Sequence, residues 1–166
     1  MNAEQTNNDV KIEQLEPQPV LSIRATVRIE QLGEVMGDRI QALRDYLQQH
    51  GAQPAGPPFV RYHTFGETET DLETGVPVTS PIGGEGRIAG GELPGGPVIT
   101  SWHTGPHDKL GDAYARIETW LREQGRERDG AAWEVYYWID LSHDLDPSSW
   151  DPSTWGTQLV QPIKQP

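Results

Sequence analysis

A repeat constrains this chain more than any other feature. Gly37-Asp38 returns as Gly111-Asp112, an offset of 74 residues. At the same offset Ile40 matches Tyr114, Leu43 matches Ile117, Tyr46 matches Trp120, Leu47 matches Leu121 and Gly51 matches Gly125. The register survives an intervening loop, where Phe59 matches Trp133 and Tyr62 matches Tyr136. An ungapped offset running through a helical pattern, a loop and a β-rich stretch marks duplication of a folding unit. Two copies of so long a period do not make a solenoid, which stacks three or more shorter repeats.

The repeated unit is legible. "VLSIRATVRI" (20–29) is β-rich and partly alternating, a strand. "GEVMGDRIQALRDYLQQHG" places Val35, Met36, Ile40, Leu43, Tyr46 and Leu47 at helical spacing, and Gly51 supplies the stop. Residues 57–65 and 68–79 read as two further strands. In the second copy, 86–93 and 96–104 are strands around a Pro-Gly-Gly turn. A helix over 107–125 carries Leu110, Tyr114, Ile117, Trp120 and Leu121 on one stripe. A strand follows at 131–140, then a proline-broken polar loop, then a strand at 156–163. The expected fold is α+β: duplicated βαββ units forming one antiparallel sheet, with two helices on one face and a ligand cleft on the other. Residues 1–17 are polar and aperiodic and are expected to be a mobile tail. Residues 18–166 then form one domain, with halves at about 20–80 and 86–163.

Charge narrows the partners. The formal net charge is −12 and no basic cluster is present. Nucleic-acid affinity rests largely on Lys and Arg neutralising phosphates, so no direct nucleic-acid partner is expected. An anionic membrane surface also repels such a chain, and no apolar run approaches the length of a span. There is no cysteine and no signal-peptide pattern, which points to the cytoplasm. No cofactor or metal is expected. His103 and His107 are four apart, but Gly105-Pro106 between them breaks a shared helical face. His103 reads as a residue capping backbone at a strand end. Asp140, Asp144 and Asp146 lack the glycine and closing Glu of a calcium loop. "GGEGRIAGG" lacks the Lys-Ser/Thr of a phosphate loop, and no Gly-x-Ser-x-Gly elbow is present.

The candidate site lies in "AAWEVYYWID" (131–140), where a carboxylate sits inside an aromatic run. Strand side chains alternate faces. Trp133, Val135, Tyr137 and Ile139 are therefore expected under the helices, and Glu134, Tyr136 and Trp138 on the other face. The 74-residue offset adds Val60 and Tyr62 to that second face. One carboxylate, two phenols and an indole suit a flat or cationic organic molecule, through apolar area, cation–π attraction and a counter-charge.

The stretch "GPVITSWHTGPHDKLGDAYARIETWLREQG" followed by "WEVYYW" resembles the GyrI-like small-molecule-binding domain, the effector-binding module of multidrug-sensing regulators. The family pattern is a strand ending in His-x-Gly-Pro, an amphipathic helix, then Glu-x-Tyr on a central strand. Here these are His103, Gly105, Pro106, Glu134 and Tyr136. The resemblance spans roughly 20–163 and implies the duplicated fold with a ligand cleft based on Glu134. His107 stands where the family often has an aromatic residue. The ligand-binding candidates are thus Val60, Tyr62, Trp102, His107, Glu134, Tyr136 and Trp138. In the sensors a DNA-binding domain precedes this module; the short tail here predicts that the chain is not a complete transcription factor. The leading expectation is a stand-alone binder of hydrophobic, aromatic or cationic small molecules, for sensing or sequestration with a possible protein partner. Two other readings follow from relatives. One is a hydrolase opening strained electrophilic rings of the cyclopropane type, with Glu134 as general base and Tyr136 as a proton donor. The other is an inhibitor that binds a DNA-handling enzyme such as gyrase.

Overall fold

The computed structural model describes residues 10–106, 110–141 and 151–165, with nothing said of the Pro152 side chain. His107, Asp144, Asp146 and the first nine residues lie outside the described part. The elements are β1 (Lys11–Leu15), β2 (Gln18–Arg28), a short 3-10 turn (Ile29–Gln31), α1 (Leu32–Gln49), β3 (Phe59–Phe65), β4 (Glu69–Pro77), β5 (Ala89–Leu93), β6 (Gly96–Thr104), α2 (Leu110–Gln124), β7 (Trp133–Tyr136) and β8 (Gly156–Pro162). The strands form one antiparallel sheet in the order β1-β6-β8-β7-β3-β4-β2-β5. Glu16 and Pro17 alone join β1, at one end of that order, to β2 near the other. So short a link requires the sheet to curl, and it forms a half-barrel.

The duplication is visible in the topology. The units β2-α1-β3-β4 and β6-α2-β7-β8 meet where β3 pairs with β7. At that seam Phe59 lies opposite Val135, Val60 opposite Glu134 and Arg61 opposite Trp133. Val60 is the 74-residue counterpart of Glu134, so the pseudo-twofold axis passes between these two residues. Both helices stop in the same way. Gly51 and Gly125 each adopt φ of 62°, a left-handed conformation that glycine enters without steric cost. Ala52 N–H then donates to the Leu47 carbonyl and Arg126 N–H to the Leu121 carbonyl. These bonds satisfy carbonyls that a helix end leaves open.

Both helices lie on one face of the sheet. Ile40, Leu43 and Leu47 of α1 pack with Leu21, Ile23, Val27, Leu72 and Val76. Ile117 and Leu121 of α2 pack with Ile99, Leu159 and Ile163. Fully burying each of these aliphatic side chains stabilises the fold by about 1.5–3 kcal/mol. Among the described residues no helix is long and apolar enough to cross a membrane.

Three expectations need correction. The cleft does not lie opposite the helices. Leu159 pairs with Glu134 and Leu72 with Tyr62, so the surface that receives the helices is the one carrying Glu134, Tyr136 and Val60. Trp133 and Val135 point the other way, into a second core with Val20, Phe59, Leu93, Val98 and Val160. The sheet's own curl covers that face, so its apolar residues need no helix. Next, the strand at 131–140 ends at Tyr136, where Ile139 N–H bonds back to the Tyr136 carbonyl. This turn breaks the alternation and moves Ile139 to the helix side. Finally, Lys11–Leu15 is not a mobile tail but an edge strand, in register from Lys11 opposite Thr100 to Leu15 opposite Gly96. Four of its five residues are exposed, so backbone pairing holds it and no apolar period announces it.

Candidate functional site

A cavity of about 930 Å³ opens between the N-terminal halves of the two helices. α1 contributes Gly33, Met36, Gly37 and Ile40 to one wall; α2 contributes Leu110, Gly111 and Tyr114 to the other. A Cβ added at Gly37 or Gly111 would meet nothing within 4 Å. The repeated glycine thus thins both walls where they face each other across the cleft. Tyr62, Glu134 and Tyr136 form the base, and Trp138 and Trp155 one side, their rings stacked 4.0 Å apart.

Glu134 is 4% exposed, and both of its oxygens are engaged. Tyr136 donates its hydroxyl to Oε1 at 2.7 Å, and Tyr114 donates to Oε2. Tyr62 lines the same base beside them. No Lys, Arg or His among the described residues forms an ion pair with Glu134. Burial raises the Glu134 carboxyl above the usual range, and the two phenol hydrogen bonds oppose that rise. Tyr62, Tyr114 and Tyr136 are also raised, first by burial and then by the Glu134 charge. The phenols therefore stay protonated and act as donors.

The residues expected at a site separate into groups. Tyr62, Glu134, Tyr136 and Trp138 line the cavity. Val60 is fully buried in the ladder opposite Glu134, part of the core rather than the lining. Trp102 lies on the opposite face of the sheet, 5.1 Å from the Tyr137 ring and so close to Gly156 that a Cβ there would collide with its ring. His107 lies outside the described residues. His103 donates Nε2–H to the Pro106 carbonyl at 3.0 Å, a backbone cap. Among the described residues no group of three or more His, Cys, Asp or Glu is placed to hold a metal ion.

Two site residues escaped the sequence reading. Tyr114 sits on the apolar stripe of α2 and reads there as core. The usable signal was the offset: its partner Ile40 is aliphatic, so one copy acquired a hydroxyl where the other has none. Trp155 falls in a polar, proline-rich segment, and no local pattern foretells its stacking on Trp138.

An apolar, aromatic-walled cleft between pseudo-symmetric halves, over a buried carboxylate, defines a small-molecule-binding α+β half-barrel. The chain belongs to the GyrI-like family: the profile of the GyrI-like small molecule binding domain matches residues 8–143. No curated protein matches it. Among solved structures, EcmrR in a complex with DNA (EcmrR-RPo) matches with a TM-score of 0.79 and 19% identity, over 99% of this chain and 60% of that one. The chain thus spans 60% of that protein's length. The EcmrR C-terminal domain alone matches with a TM-score of 0.77 and 21% identity, over 95% and 98% of the two chains. SAV2435 bound to tetraphenylphosphonium matches with a TM-score of 0.56 and 12% identity, over 94% of each chain. A hydrolase from Listeria innocua matches with a TM-score of 0.62 and 12% identity, over 95% of this chain and 93% of that one.

Proposed function

We propose that the cleft over Glu134 binds hydrophobic, aromatic compounds that carry positive charge, for sensing or sequestration in the cytoplasm. The observation that carries this reading is a buried carboxylate with no cationic partner among the described residues, at the base of an open apolar cavity. A carboxylate so placed is costly in isolation. A ligand cation supplies the missing charge, and Tyr62, Trp138 and Trp155 supply ring faces and apolar area. The neighbour that holds tetraphenylphosphonium supports the same ligand class. Direct nucleic-acid contact forms no part of the reading, because a net charge of −12 repels phosphate.

Fluorescence titration with a cationic aromatic dye tests it. Glu134→Gln should weaken binding by about 2–5 kcal/mol, the range for removing one partner of a buried charge pair. Equal affinity in wild type and variant would show that Glu134 is not the counter-charge.

One observation favours hydrolysis as a second reading. The raised carboxyl of Glu134 touches two protonated phenols, Tyr114 and Tyr136. A base and a proton donor in contact are the parts needed to add water across a strained electrophilic ring. Mass spectrometry of a cyclopropane-bearing aromatic compound recovered from the protein separates the readings: a binder returns it unchanged, and a hydrolase returns it with one water added.

A further inference from the structure

The face of the sheet turned away from the helices holds a second cavity. The curl of the strands leaves a trough of about 360 Å³, floored by Phe59, Trp133, Val135 and Val160. One layer of backbone separates it from the cleft. Along β7 and the residue after it, Glu134 and Tyr136 face the cleft while Val135 and Tyr137 face the trough. The edge strand β1 and its turn bring Glu13 and Glu16 to the rim. Neither carboxylate has a cationic partner among the described residues. Tyr137 is half exposed and its hydroxyl donates to Gln158 Oε1 at 3.4 Å. Glu13 and Tyr137 line the same trough, and partial burial, then the charge of Glu13, raise that phenol above its ordinary range.

We propose that this trough is a second binding site, for a protonated primary amine on a small apolar body. The two cavities differ in the state of their carboxylates. Both Glu134 oxygens already accept tyrosine hydroxyls, so an N–H donor entering the cleft must displace one of them. Among the described residues nothing donates a hydrogen bond to the exposed side-chain oxygens of Glu13 and Glu16, so an ammonium donates to them directly. The Tyr137 ring offers a cation–π face beside them, and the half-buried Leu15, Pro57 and Val135 receive the apolar body. The volume falls in the range of small-molecule sites. Because the carboxylates stand at a solvated rim, the charge contribution is modest and weakens with salt.

Amide NMR titration of the ¹⁵N-labelled full chain with 2-phenylethylamine tests the proposal, with 3-phenyl-1-propanol as the neutral analogue. The expected shifts centre on Thr100, Val135, Tyr137 and Gln158, with a Kd on the order of millimolar, as a ligand this small allows. The amine should bind at least about fivefold more tightly than the alcohol, and the Glu13→Gln/Glu16→Gln double variant should erase that difference. Both substitutions are on exposed residues, so the fold is not at risk. Shifts confined to Gly37, Gly111, Tyr114 and Trp138 would assign the amine to the cleft and overturn the proposal. So would equal affinities for amine and alcohol, an unaltered double variant, or no shifts up to about 50 mM. The readout is residue-specific and independent of the cleft: failure of dye binding there leaves the trough shifts expected.

Discussion

Glu134 carries its charge against its surroundings. Burial favours the neutral acid, and the hydroxyls of Tyr114 and Tyr136 reduce that preference without reversing it. A carboxyl whose folded pKa is raised binds more protons in the native state than in the unfolded chain. Its stabilising contribution is present below the unfolded pKa and is lost as pH rises through the folded one. Glu134→Gln lacks this titration. Urea midpoints of wild type and variant should therefore diverge in the variant's favour as pH is raised from about 4 to about 8, from the ordinary glutamate pKa upward. A constant difference across that window would show that Glu134 is not raised. The same sign governs binding: a cation selects the ionised carboxylate, so its uptake releases a proton and its affinity rises with pH through the raised pKa.

At the scale of elements, the two helices serve the cleft more than their own stability. Glycine within a helix costs about 0.5–1 kcal/mol relative to alanine, yet Gly37 and Gly111 recur in both copies at the cavity wall. Gly37→Ala and Gly111→Ala should each raise stability by about that amount in urea titration, since the new methyl meets nothing within 4 Å. Gly37→Leu should instead fill the cleft and weaken dye binding at least about tenfold, while the protein remains folded. Unchanged dye affinity in Gly37→Leu would remove this wall from the site. The helix stripes, their glycine stops and seven of the eight strands were legible at this scale, because apolar periodicity and turn chemistry are local. β1 was not, because its exposed side chains carry no such pattern.

As a whole molecule, the chain is two copies that cannot be separated. They share the β3–β7 ladder, and the links β1–β2 and β5–β6 cross between the ends of the sheet. Tryptophan fluorescence and far-UV circular dichroism should report one coincident urea transition. A dye held at about 100 times its Kd should shift that single transition by about 2.7 kcal/mol. Two transitions, with only one moved by ligand, would show halves that fold independently.

The sequence by itself determined the duplication, the order of every element but β1 and, as far as Tyr136, the residues of the central strand that share a face, since all three rest on spacing along the chain. Through the offset it also placed Glu134 and Tyr62 near one axis. Only the tertiary structure decided which face the helices cover. Alternation sorts Trp133 from Glu134 but is silent about which set meets a helix and which is covered by the curl of the sheet. It also decided that Tyr114 turns its hydroxyl to Glu134, that Trp155 stacks on Trp138, and that Trp102 belongs to the far side. Those contacts join residues distant in sequence, and their geometry is set by how helices and sheet pack rather than by any local preference.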